Sequence, residues 1–393
     1  MHGCAQAWAN SLTRRDAFRA LAGFFAGSPL LRGQQDPFRD HSRVPGLNEL
    51  ETAFDFEPVA YAKVLRYNYD YTAYGTDSEF TLRRNRQAFD WVELIPRRVL
   101  DLSPVRTSTT VLGTNMAFPI LISPSSGHSM LHPEAEAATA AGAAAASNTP
   151  YIVSNNSSLP FEKIAASAKC PLWAQLYPKK ELEDNRQWLD KAQTAGAKAI
   201  VVTIDQQAAE YERIQHDANL GSRPSGSRRA APRNPYRVSE FRIWYSWKFF
   251  DQIRPMVKVP LLAKGINTAE DAKLCIEHGL DGVYVSNHGG RSLDYGPSTL
   301  EVLPEIVDAV AGKVPILFDS GVRRGADALK ALALGANAVC LGRVPRWGLG
   351  AYGAPGVQRI LEIVQGELVQ AMAYTGRPTL TSLDRTIVKT DFP

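Results

Sequence analysis

Cysteine is scarce: Cys4, Cys170, Cys275 and Cys340 stand far apart in 393 residues, with no Cys-x-x-Cys spacing. That excludes a thiolate zinc site and a disulfide framework, and leaves buried thiols as the reading. An excess of one charge is also missing. The formal net charge is +4 with a pI near 8.8, and no long Lys/Arg run marks a nucleic-acid footprint. Long hydrophobic runs are absent too. The apolar stretch at 20–31 spans about 12 residues, too short to cross a bilayer as a helix.

What is present is a large potential core, 45% apolar and 9% aromatic. A single barrel domain of about 250 residues or more uses such a chain fully. Residues 1–35 read differently from the rest. Ser11-Leu12-Thr13-Arg14-Arg15-Asp16-Ala17-Phe18 sets paired arginines ahead of the short apolar stretch, which resembles a twin-arginine export signal. Export to the periplasm or cell envelope is the expectation, and a disordered N-terminal segment of a cytoplasmic protein is the alternative.

From about residue 119 to 375, within a domain spanning 45–380, short β-branched runs alternate with helical stretches. The predicted strands are 120–123, 151–154, 172–176, 199–203, 261–264, 282–286, 316–319 and 338–341. Helical patterns fall at 133–147, 180–195, 268–278, 323–334 and 355–374. Eight βα units argue for an α/β fold, a closed (β/α)8 TIM barrel with an N-terminal helical extension. A doubly wound sheet usually has fewer strands and opens with a G-x-G-x-x-G turn, which is missing after the first strand.

Barrel enzymes carry their chemistry at the C-terminal ends of the strands. Polar residues fall there in nearly every unit: Ser123-Pro124-Ser125-Ser126, Ser154-Asn155-Asn156, Gln175-Leu176-Tyr177, Thr203-Ile204-Asp205, Lys264, Ser286-Asn287-His288-Gly289-Gly290-Arg291, Asp319-Ser320-Gly321-Val322-Arg323 and Gly342-Arg343. Any one of them alone reads equally well as a cap or a loop hydrogen bond. Together they describe one mouth. Imidazole titrates near working pH, so His288 is the candidate base, and the planar fork of Arg291 suits a carboxylate.

These motifs, above all Val285 to Asp294 with Asp319 to Gly325 and Lys264-Gly265-Ile266, make the chain resemble the FMN-dependent 2-hydroxy acid oxidases and dehydrogenases, a family that includes glycolate oxidase, lactate oxidase and mandelate dehydrogenase. Tyr69-Asp70-Tyr71 and Leu131-His132-Pro133-Glu134 support it, and the likeness covers roughly residues 61–375. The resemblance implies oxidation of a small (S)-2-hydroxy acid, lactate- or glycolate-like, to the 2-oxo acid. By it, Asp205 orients His288, Tyr71 and Arg291 bind the substrate carboxylate, and Tyr177 meets the substrate hydroxyl. FMN is expected against Ser123, Pro124, Ser125, Ser154, Gln175, Thr203, Lys264 and Ser286. Asp319 would take the ribityl chain, and Gly321, Arg323, Gly342 and Arg343 the phosphate. The electron acceptor is left open among O2, a quinone or a cytochrome, and a homotetramer is the family habit. No metal and no nucleic acid are implied.

Departures bear on the substrate. Seven residues after Asp205 the family carries a second substrate arginine, but Glu212 stands there and Arg213 follows. Pro124-Ser125-Ser126 replaces Pro-Thr-Ala, and Asn156 aligns with a pocket tryptophan of glycolate oxidase, so a more polar pocket is expected. Residues 221–237 hold five arginines and replace the loop over the active site, either steering an anionic acid or simply solvated. Another FMN barrel enzyme, an isomerase for example, or a flavin-binding relic with a degraded site remain the competing readings.

Overall fold

The computed structural model describes residues 43–102, 104–206 and 245–393. Gly46–Pro393 forms one compact unit. The twin-arginine segment, Arg213 and the arginine-rich stretch 221–237 lie outside the described residues.

The predicted apolar runs become eight parallel strands, β1 (Ile120–Ile122), β2 (Tyr151–Ser154), β3 (Leu172–Leu176), β4 (Ile200–Thr203), β5 (Leu261–Ile266), β6 (Gly282–Val285), β7 (Ile316–Phe318) and β8 (Ala338–Leu341). Each pairs with the next, and β8 closes on β1 through Val339 opposite Ile120 and Leu341 opposite Ile122. Nearly every strand residue is buried, because a barrel covers both faces of its sheet. Inward side chains, among them Leu121, Ile152, Trp173, Val201, Leu262, Tyr284, Leu317 and Cys340, fill the interior. The hairpin Thr109–Val111 with Thr114–Met116 joins this cluster through Val111 and Met116. It directly precedes β1 and so plugs the N-terminal end of the barrel. Trp173 reinforces the plug by donating from Nε1 to Thr114 Oγ1 at 3.0 Å.

Three helices precede the barrel, α1 (Ala53–Lys63), α2 (Arg66–Ala73) and α3 (Phe80–Asp90). Around it run α4 (Ala135–Ala145), α5 (Phe161–Ser167), α6 (Leu182–Thr194), α7 (Lys248–Ile253), α8 (Ala269–Glu277), α9 (Thr299–Val310), α10 (Gly325–Ala333) and α11 (Arg343–Tyr374). The segment Arg343–Tyr374 is two helical stretches broken at Tyr352 and Gly353, where Gly353 has φ +63°: the second is the helix expected at 355–374, and the first, from Arg343, falls where no helix is expected. Pro345 is tolerated because the N–H it lacks has no partner in a first helical turn anyway. Among the described residues no helix is long and apolar enough to cross a membrane.

Candidate active site

The residues after β6 form a tight turn in which His288, Gly289 and Gly290 all have positive φ, at +57°, +67° and +77°. Such a run persists only where its surroundings hold it. Here the buried Asn85 of α3 exchanges two amide hydrogen bonds with Asn287, at 2.9 and 2.8 Å, and His288 N donates to Ser286 Oγ at 3.1 Å. Ser286 is fully buried and acts from behind the turn.

His288 Nδ1 lies 2.7 Å from Asp205 Oδ1, and Lys264 Nζ donates to Asp205 Oδ2 at 3.4 Å. Asp205 fits there because Gly265 has no side chain: a Cβ would stand 2.5 Å from that of Asp205. Burial by itself would raise the Asp205 carboxyl, but the charges of His288 and Lys264 and their hydrogen bonds outweigh it and hold the group below its ordinary value. Whenever His288 is uncharged, the Asp205 carboxylate keeps its one ring proton on Nδ1. The lone pair is then on Nε2, 3.4 Å from Tyr177 OH.

Beside this pair, a cavity of about 350 Å³ opens at the C-terminal mouth. The predicted residues Tyr71, Ser123, Pro124, Ser125, Ser154, Tyr177, Lys264, His288, Arg291, Asp319, Gly321, Arg323, Gly342 and Arg343 line it. Asp205, Gln175, Thr203 and Ser286 stand behind that lining. Arg291 donates to the Tyr71 carbonyl, and its guanidinium carbon is 4.7 Å from the Tyr71 ring centre. Tyr71 OH bonds Ser126 Oγ at 2.6 Å.

At the β7 and β8 ends, Asp319 Oδ2 accepts from Tyr284 OH at 2.9 Å and Ser123 Oγ at 3.2 Å, and Oδ1 accepts from Ser320 Oγ at 2.8 Å. Arg343 donates to the carbonyls of Thr72, Gly289 and Tyr74 at 2.8–3.0 Å, tying the α2 end to the catalytic turn. Burial pulls the Arg323 guanidinium down to about 10, with Arg86 adding repulsion. Burial pulls Arg343 down as well, reinforced by Arg323 and Arg291. A dianion is what this crowded positive end lacks.

Arg346 and Tyr284 are not among the residues the sequence points to. Arg346, on the first turn of α11, lines the cavity 4% exposed. Its spacing of three from Arg343 was the available signal, hidden because no helix was expected there. Tyr284 was counted as an ordinary strand residue, yet its hydroxyl holds Asp319.

The polar groups at the strand ends fit a flavin mononucleotide. Gln175 Nε2 and Thr203 Oγ1 are buried without a partner, while the other end of the Gln175 amide accepts from Ser154 Oγ at 2.9 Å. Buried polar atoms rarely stay unpaired, so a ring edge carrying hydrogen-bonding groups belongs beside them. Lys264 offers a cation there, Asp319 a hydroxyl acceptor, and the Gly321 and Gly342 turns with Arg323 and Arg343 an anion cradle.

Comparison with known proteins agrees with this reading. The FMN-dependent dehydrogenase family matches residues 60–390. A peroxisomal (S)-2-hydroxyacid oxidase of Arabidopsis thaliana is 38% identical over 362 residues, covering 88% of this chain and 98% of that protein. Glycolate oxidase 1 of Oryza sativa subsp. indica is 34% identical over 359 residues, covering 88% and 97%. The crystal structure of mandelate oxidase with (S)-2-phenylpropionate superposes with a TM-score of 0.78 at 32% identity, covering 87% of this chain and 99% of that one. The chain belongs to the FMN-dependent dehydrogenase family: it is an oxidoreductase of the (S)-2-hydroxy acid oxidase type, and its cofactor is FMN.

Proposed function

We propose that the enzyme oxidises a small aliphatic (S)-2-hydroxy acid, of the lactate or glycolate type, to the 2-oxo acid. The observation that carries this is the pairing of the buried Asp205 carboxylate with His288, 2.7 Å apart, with His288 Nε2 turned to Tyr177 at the cavity wall. Bound FMN supplies the two-electron acceptor for the carbon being oxidised. His288 Nε2 takes a proton from the substrate, and the Asp205 carboxylate stabilises the imidazolium that results. Arg291 and Tyr71 hold the carboxylate, which orients the hydroxyl toward Tyr177 and His288. The polar wall of Ser125, Ser126 and Asn156 favours a short chain over an aromatic one. Relatives named as glycolate and (S)-2-hydroxyacid oxidases support the same class.

The test is anaerobic addition of glycolate, L-lactate, longer 2-hydroxy acids and L-mandelate to the yellow protein. Bleaching by a short aliphatic acid is expected. A flavin that none of them reduces, or that only mandelate reduces, overturns the proposal.

A further inference from the structure

Resting on that reading, we propose that Arg346 is a second anion-binding residue in the same cavity, and that the preferred substrate is a short 2-hydroxy acid with a second carboxylate at its far end. A guanidinium has five N–H donors in a rigid fork. Arg346 uses two, Nε to Thr72 Oγ1 at 2.9 Å and Nη1 to the Ser126 carbonyl at 2.6 Å. Its Nη2 is buried with no partner, although the residue lines the cavity and is only 4% exposed. Leaving a buried charged donor unpaired is costly, and an arriving acceptor removes that cost.

No described ion pair includes Arg346. Burial pulls the guanidinium down to about 10, with Arg291 acting the same way and Tyr71, Tyr151 and the buried Glu136 opposing it, so at neutral pH it is charged, and no described carboxylate touches it directly. The other cations of the mouth have work already. Lys264 faces Asp205, and Arg323 and Arg343 stand at the phosphate end.

Position separates Arg346 from the first carboxylate. Arg291 and Arg346 both lie over the Tyr71 ring, at 4.7 and 5.4 Å, but they bond different partners. Arg291 bonds the backbone of Tyr71, whereas Arg346 bonds Ser126, whose hydroxyl meets the Tyr71 phenol at 2.6 Å. An acid clamped by Arg291 therefore leaves the unpartnered Nη2 of Arg346 to a second anionic group. Ser125, Ser126 and Asn156 line the cavity as well, and an apolar tail would desolvate these groups with nothing in return.

The test measures binding and turnover separately on the FMN-loaded protein. By calorimetry, the non-reacting 2-oxo diacids 2-oxosuccinate and 2-oxoglutarate are compared with 2-oxobutanoate and 2-oxopentanoate. One charge-assisted hydrogen bond predicts at least one diacid binding about tenfold or more tighter than its monoacid. In Arg346→Met that preference falls to about one, and in Arg346→Lys part of it remains. If the unmodified protein shows no preference, the inference is overturned without any variant. It is also overturned if Arg346→Met keeps the ratio, or if the variant loses FMN while the ratio stays, which would make Arg346 a phosphate ligand. A diacid preference in a protein whose flavin no 2-hydroxy acid reduces would sink the proposed oxidation alone.

Discussion

Asp205 Oδ1 stands 2.7 Å from His288 Nδ1, and its other oxygen stands 3.4 Å from Lys264 Nζ, so one buried anion serves two groups that line the cavity. It fixes the imidazole tautomer and offsets the charge of the lysine beside the flavin site. A carboxylate with 4% side-chain exposure, held ionised by these partners, is a built electrostatic element and not a surface ion pair.

If His288 is the base, His288→Ala should keep FMN and the barrel but lose turnover by about 100- to 10,000-fold. The imidazole packs into no core, so the flavin spectrum should change little, while the melting temperature falls because the buried Asp205 loses its nearest partner and keeps only Lys264. Steady-state kinetics on the FMN-loaded variant decide the matter. Near-normal kcat would remove His288 from the role.

Asp205 also makes a pH prediction. Its folded-state carboxyl lies below the ordinary value, so its contribution to stability is fully present above the unfolded-state pKa of about 4. That contribution is lost as pH falls through the lowered folded value. Asp205→Asn has no such titration. The melting temperature of the parent should therefore drop more steeply than that of the variant as pH falls below about 4. Parallel curves would mean that Asp205 gains nothing from His288 and Lys264.

Thr203 offers a test of the flavin edge. Its Oγ1 is buried with no partner, and replacing an unsatisfied hydroxyl by an isosteric methyl is neutral or stabilising. Thr203→Val should leave the FMN-stripped protein as stable as the parent or more so, while weakening FMN binding by about fivefold to tenfold. Flavin fluorescence titration reads the affinity and thermal melting the stability. Tighter FMN binding in the variant would show that this hydroxyl faces no flavin atom.

The strands could be read from the sequence because a barrel buries both sheet faces, so β2 and β8 are apolar runs ended by Ser154 and Gly342, and β3 is interrupted only by Gln175. The same continuity hid Tyr284: a run apolar on both faces does not reveal which residue points inward to Asp319. The first half of α11 was hidden by Gly342, Gly348, Gly350, Gly353 and Pro345, which read as loop, and Arg346 was hidden with it. The pairing of Asn85 with Asn287 joins residues 202 positions apart, and no local pattern encodes it.

That pairing places the catalytic turn under the control of the extension, and Gly321 shows how tightly. Its φ is +94°, and a Cβ there would stand 2.3 Å from the Asn85 carbonyl oxygen and 2.9 Å from the Phe89 ring. The first contact is with backbone inside α3, which cannot rotate away as a side chain can. Gly321→Ala must therefore push α3 outward at Asn85, and Asn85 is what pins Asn287 one residue before His288. Left-handed strain adds about 1–2 kcal/mol. A melting temperature lowered by several degrees should come with a fall in kcat/KM larger than the loss of FMN explains. A variant as stable and as active as the parent would show that α3 yields freely, and that the extension does not hold the His288 turn in place.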